Sequence, residues 1–435
     1  MIKSVPRKPH AAPVSNTPVP KCHLSREFMT DSRPCFGLAV YGECGVGAYC
    51  LGGCDPVSSH SIDSCTPAPV CKSKSYTFDD LDGVVSREKY LGDASKADWV
   101  SSGKPLSNDG KLILTMPKES VGTLIANNHY VWYGKVSAKM RTSRGAGVVS
   151  AFILMSDVKD EIDFEFIGAD LQTAQTNWYF QGVIDYTNGQ NVSVDGNTFS
   201  QEHTYEIDWK PDSITWSIDG KPRRTLKKKD TLNKKTNQYH FPQSPSRVQL
   251  SLWPGGQASN AKGTIDWAGG LIDWNHQDIK NNGYFYSIFS EVTIECYDPP
   301  AGAKIEGDKS YIYTDKAGTE DTVKITNKNT VLKSLLGTGV DMDKDYPPKS
   351  GTKSGSVPNE TDTVAVIPGL TGAGPGTNGR PPSDGGSGGS DGKNNKPSTD
   401  FTAPPSKSSS SSQSERVLIG SIFAVLVAVM VLINM

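Results

Sequence analysis

The chain has no strongly basic block. Its 45 Lys and Arg against 47 Asp and Glu give a formal net charge of −2, which offers a polyanion no footprint, so nucleic acid is not expected as a partner. It has no Cys-x2-Cys knuckle, His23 and His60 are not at ligand spacing, and His129, His203, His240 and His276 are scattered singly. No metal or other cofactor is expected, and no histidine is assigned a catalytic role. Few segments carry apolar residues at helical spacing over the length that a stable helix requires. Residues 1–21 contain Pro6, Pro9, Pro13, Pro18 and Pro20 but no apolar run of signal-peptide length. With 435 residues and 36% hydrophobic content the chain can still bury a large core, while its 43 Gly and 28 Pro are unevenly placed and mark linkers around one large domain.

What is present begins with nine residues, Asp160-Glu161-Ile162-Asp163-Phe164-Glu165-Phe166-Ile167-Gly168, in which acidic and apolar side chains alternate. A period of two is a strand signature. It sends Ile162, Phe164 and Phe166 to one face and Glu161, Asp163 and Glu165 to the other. Like charges at that density repel, so the pattern points to carboxylate chemistry; a solvent-facing acidic strand or a weak cation site is the plainer alternative. Four residues at a rise of about 3.3 Å separate the Glu161 and Glu165 backbones by roughly 13 Å, and side chains leaning inward leave roughly 5 Å between carboxyls. Retaining glycosidases place a nucleophile and a general acid/base at about that distance. Asp163 between them would raise the pKa of the acid and orient the nucleophile.

Around this strand the pattern is β throughout. Lys111–Met116, Val131–Met140 and Gly147–Met155 read as strands leading to it. After it, His203–Trp209, Ser213–Ile218 and Lys221–Leu226 form a meander whose second turn, Asp219-Gly220, is a strong hairpin signal. An antiparallel β-sandwich follows for residues 74–300. Tyr133, Trp178, Tyr179, Trp253, Trp267 and Trp274 lie in strands or at their ends; flat rings pack on the C–H faces of sugars, but in a sandwich many such rings simply fill the core. Trp253 stands out because it shares a face with Gln249 and Ser251 and precedes the tight loop Pro254-Gly255-Gly256.

Seven of the eight cysteines, Cys22, Cys35, Cys44, Cys50, Cys54, Cys65 and Cys71, fall within fifty residues poor in apolar material, which predicts a disulfide-stapled module over 22–71. Cys296 closes the large domain, and the even total permits a bridge from it to the module. Residues 301–416 read as a linker, with one strand-like run at Tyr311-Ile312-Tyr313 and flexible Gly- and Ser-rich stretches at 385–389 and 408–412. Residues 417–435 carry no charge and have no basic flank beyond them; with small residues around Ser406–Ser410 and a polar spacer, they match a GPI-attachment signal rather than a tail-anchored helix. The cysteines and this tail require the secretory route, so a signal segment upstream of residue 1 is expected. On that route Asn191-Val192-Ser193 and Asn359-Glu360-Thr361 are N-glycosylation acceptors.

Asp160–Phe166 resembles the D-E-I-D-aromatic-E motif of glycoside hydrolase family 16. Four further stretches resemble its fungal chitin–glucan transglycosylase branch, the Crh family: Gln175–Phe180, Tyr205–Trp209, Gln249–Gly256 and Trp267–Trp274. The resemblance implies a concanavalin-type jelly roll with an open cleft. It implies Glu161 as nucleophile, Asp163 as assisting aspartate and Glu165 as acid/base, with Gln175, Asn177, Gln249, Trp253 and Thr264 as sugar contacts. It further implies a chitin donor and a β-glucan or chito-oligosaccharide acceptor, at a fungal cell wall and plasma membrane reached through the anchor. Gly42–Pro56 resembles the second half of a hevein-like chitin-binding module, in which Phe36, Tyr41 and Tyr49 are the candidate sugar-facing rings. Cys35-Phe36 stands where that family has adjacent cysteines, so a working chitin binder and a structural cap both remain open. So do a β-glucan or chitin hydrolase on the same fold, a non-catalytic wall lectin and a structural wall protein.

Overall fold

The computed structural model describes residues 37–38, 44–183 and 185–344. Two eight-stranded sheets lie face to face, the β-sandwich expected from the alternating patterns. The strands used below are β1 (Lys74–Tyr76), β2 (Val84–Ser86), β3 (Trp99–Ser102), β4 (Leu106–Asn108), β5 (Lys111–Pro117), β6 (Thr123–Val131), β7 (Gly134–Arg141), β8 (Val148–Ser156), β9 (Glu161–Ile167), β10 (Thr173–Tyr179), β11 (Gln190–Ser193), β12 (His203–Lys210), β13 (Ser213–Ile218), β14 (Lys221–Lys227), β15 (Ser246–Pro254) and β16 (Tyr284–Cys296). The acidic sheet runs β11-β10-β9-β8-β15-β6-β3-β2, and the backing sheet runs β14-β13-β12-β7-β16-β5-β4 with β1 also on β16.

The core fills the space between them. Phe164, sent inward by the two-residue period of β9, is fully buried. Its ring lies 6.3 Å from Phe152, 6.2 Å from Phe166 and 5.4 Å from Tyr205 of the backing sheet, and burying such a ring stabilises the fold by about 1.5–3 kcal/mol. Helices are confined to two six-residue pieces, Lys262–Trp267 and Gln277–Asn282, among the described residues. The Asp219-Gly220 turn has φ of 50° and 72°, the left-handed pair that lets a tight hairpin follow the strand twist.

Two sequence expectations need correction. Val131–Met140 is not one strand: it breaks at Trp132-Tyr133, where Tyr133 has φ of 63° and the chain passes from the acidic sheet to the backing sheet. Both rings are fully buried at this corner, with Tyr133 4.8 Å from Trp209, so packing outweighs local β preference. Residues 301–344 are not linker either. Ser310–Tyr313 pairs with Val323–Thr326 and, on its other side, with Ala68–Pro69, and Tyr311, Val323 and Ile325 join the main core. Tyr133 Oη donates to Glu320, and Gly47 N donates to the Gly337 carbonyl at 2.7 Å. This extension therefore straps the cysteine-rich segment to the sandwich. Disulfides Cys54–Cys65 and Cys71–Cys296 are formed, the second joining the module's end to the close of β16, and Cys50 is a buried free thiol. The side chains of Cys22, Cys35 and Cys44, the rings of Phe36 and Tyr41, Asn359 and the tail 417–435 lie outside the described residues.

Candidate active site

Register fixes which side chains share the face of the acidic sheet turned away from the core. Glu161, Asp163 and Glu165 on β9 stand opposite Tyr179, Asn177 and Gln175 on β10 and opposite Met155, Ile153 and Ala151 on β8. One strand further, Arg247, Gln249, Ser251 and Trp253 of β15 face Met155, Ile153, Ala151 and Val149. The structure thus brings Gln175, Asn177 and Gln249 onto the face that carries the three carboxylates. Asn191 lies opposite Gln175 on edge strand β11 and is exposed.

The carboxylates sit deep. Glu161, Asp163 and Glu165 are 6%, 1% and 6% exposed. Burial is the largest influence on each and pushes all three above the usual carboxylate range. Asp163 adds to the rise at Glu161, and Asp163 and Glu161 both add to that at Glu165. Asp163 is raised to about 7, with the Arg224 guanidinium pulling the other way. Three such neighbours in a low-dielectric setting do not all ionise together. Their strand is positioned from beneath and from its start. Trp216 Nε1 donates to the Asp163 backbone carbonyl at 3.0 Å. Asp160, fully buried, accepts from the backbone N–H groups of Gln181 and Gln243 at 2.9 Å and of Ser244 at 3.0 Å, which holds its pKa to about 6 despite burial.

Buried polar atoms on this face lack protein partners: Asp163 Oδ1, Glu165 Oε1, Asn177 Oδ1, Gln249 Oε1 and Ser251 Oγ. Leaving such groups unmade costs about 1–3 kcal/mol each, a penalty that a hydroxyl-rich ligand relieves.

Two expected contacts are placed differently. Trp253 and Thr264 are both fully buried. The loop after β15 folds back over the face, and Trp267 stacks on Trp253 with ring centroids 5.8 Å apart and donates from Nε1 to Gln175 Oε1 at 2.8 Å. The fold-back needs Gly256, where a Cβ would run into the Gly270 carbonyl. Trp267 is the half-exposed ring of the pair and the one able to meet a sugar. Arg247 was missed. The run Arg247-x-Gln249-x-Ser251-x-Trp253 was its available signal, a cation on the same period-two face. Tyr49 is half-buried, with its ring facing inward to the Arg87 guanidinium at 5.1 Å.

The raised carboxylates carry a stability consequence. Folding favours the protonated form of Glu165, so its contribution is fully present at low pH and is lost as pH rises through the folded pKa. Glu165→Gln, uncharged throughout, is expected to melt above the wild type at pH 7, by about 2–4 °C for each kcal/mol recovered. The gap should close towards pH 4. Scanning calorimetry at the two pH values checks this, and equal melting at pH 7 would show that the buried charge costs nothing.

Residues 93–269 match the model of glycosyl hydrolases family 16. The chain is 55% identical over 429 residues to Crh-like protein 2 of Aspergillus fumigatus, covering 96% of this chain and 95% of the relative. It is 48% identical over 318 residues to Congo red hypersensitive protein 2 of Saccharomyces cerevisiae, covering 72% and 68%. Among solved structures it is similar to a Crh5 transglycosylase in complex with NAG, with a TM-score of 0.51 and 33% identity over 62% of this chain and 99% of that one.

Proposed function

The chain belongs to the fungal Crh-like branch of glycosyl hydrolase family 16, and from that premise we propose that it is a retaining transglycosylase that cleaves chitin and passes the cut chain to β-glucan or chitin in the cell wall. Glu161, ionised, attacks the anomeric carbon of the donor while Glu165 gives its proton to the departing glycosidic oxygen; the C–O bond breaks and an ester to Glu161 forms. Glu165, now a carboxylate, takes the proton of an acceptor hydroxyl whose oxygen attacks the anomeric carbon and releases Glu161. Asp163 contributes the negative charge that keeps Glu165 protonated between turnovers.

One observation carries the reading. Three carboxylates held out of water on a single strand, with their pKa values pushed up, supply the proton donor that glycosidic-bond cleavage needs at neutral pH. Gln175, Asn177, Gln249 and Trp267 are assigned to sugar binding around it. The apolar tail 417–435 is assigned to GPI anchoring, which keeps the enzyme at the surface where its polymers are laid down. Incubation with soluble chitin and a fluorescent β-glucan oligosaccharide tests this. Label moving into chitin-sized product is the expected result. New reducing ends without labelled polymer would make water the acceptor and the enzyme a hydrolase.

A further inference from the structure

The cysteine-rich segment is built onto the same sheet face as the carboxylates. The register runs from Asp163 to Ile153, Gln249, Ala126, Val100 and Val85, and antiparallel or parallel partners point the same way. At strand spacings of about 4.8 Å, Ala126 lies about 14 Å and Val100 about 19 Å to one side of Asp163. Residues 48–53 cover that end. Leu51 packs with Tyr90, Ala97, Val100 and Leu332. Gly53 N donates to Asp157 Oδ1 at 2.9 Å, and Asp55 pairs with Lys159 at 2.6 Å. Gly52 rides so close over the Arg247 guanidinium that a Cβ would strike it. With Cys54–Cys65 bridged and Gly47 bound to Gly337, the segment is fixed to the catalytic body.

Between this segment and the sheet a recess remains, lined by Ala48, Leu51 and Gly52 on one side and by Arg87, Arg247 and Gln249 on the other. Gln249 Oε1, in a side chain 6% exposed, has no protein partner there. Resting on the glycan-cleft reading of this face, we propose that residues 48–53 are the end wall of the cleft and that the recess is a terminal subsite for one N-acetylated sugar ring. The two guanidinium groups suit the acetamide carbonyl, the unpaired Gln249 Oε1 suits its N–H or a ring hydroxyl, and Leu51 suits the methyl. The cleft is closed on this side, so the wall limits how many sugars bind between the cut bond and the end of the chain. The module acts as a ruler for the substrate.

The test measures binding of β-linked N-acetylglucosamine oligomers, from dimer to octamer, to the full chain carrying Glu161→Gln. Ala48→Trp, which fills the recess, and Arg87→Met, which removes its guanidinium but keeps the stem, are compared in that background, with melting curves to verify folding. Both are expected to weaken the longer oligomers about tenfold, the worth of one well-formed ring contact, and to leave the short ones unchanged. Equal affinities across the whole length series in both variants, or losses uniform in length, would overturn the end wall while leaving the transglycosylase reading intact. Failure of every oligomer to bind even without Ala48→Trp or Arg87→Met would overturn both.

Discussion

Glu161→Gln is expected to lower the rate of transfer on the order of 10³-fold or more, with oligosaccharide binding largely retained, because the amide keeps the shape of the side chain and removes its nucleophilicity. Glu165→Ala is expected to fall by about 10²–10⁴-fold with natural donors. The two variants separate on a donor whose leaving group needs no proton. Such a donor restores the first step in Glu165→Ala, where only protonation was lost, and leaves Glu161→Gln inert. A kinetic comparison of both variants on the two donors reads the assignment directly. Rescue of Glu161→Gln, or equal failure of both, would exchange or remove the assigned roles. The loss has a structural basis in β9: four residues on one face of a strand hold the two carboxyls at a spacing that no rearrangement of loops sets.

Cys71→Ser with Cys296→Ser is expected to cost about 2–5 kcal/mol of stability. The bridge joins residues 225 apart, so its removal releases a long loop in the unfolded chain, and the melting temperature should drop by roughly 10 °C. Its loss also frees the seam between the module's end and β16, where Cys296 N is bound by Ser73 Oγ at 2.9 Å. Loss of the Cys54–Cys65 bridge, which spans 11 residues, should cost less, since a shorter loop gains less freedom. Calorimetry of the two double variants decides it, and the reverse order would mean that native contacts rather than chain entropy set the cost. Below the transition both variants should keep Glu161 and Glu165 in register, because neither bridge touches β9.

How much of this was legible depended on the range of the contacts involved. The β9 alternation and the Asp219-Gly220 turn are local, and each stands where the residue pattern placed it. Gln249, Ser251 and Trp253 do share the carboxylate face, as their spacing required. That Trp253 lies beneath Trp267 was not legible, since the cover comes from a loop folding back from beyond the strand. The corner at Trp132-Tyr133 hides within a run that is apolar on both sides of the break. Residues 301–344 look like linker because they are charged and hold few apolar side chains; those few, Tyr311, Val323 and Ile325, meet partners that are distant in the chain, including Ala68. The seating of the cysteine-rich segment on the acidic sheet rests wholly on such distant contacts, from Gly53 to Asp157 and from Leu51 to Leu332.

The central claim is a covalent sugar on one named oxygen, and mass spectrometry of the trapped enzyme tests it most directly. Glu165→Ala, given a chito-oligosaccharide donor with a leaving group that needs no proton, forms the ester and lacks the base that would resolve it. Digestion should then yield the peptide containing residues 160–168 heavier by one glycosyl unit of the donor, with fragmentation placing it on Glu161. A glycosyl group on Asp163 or on a peptide elsewhere, or full turnover with none retained, would contradict the account.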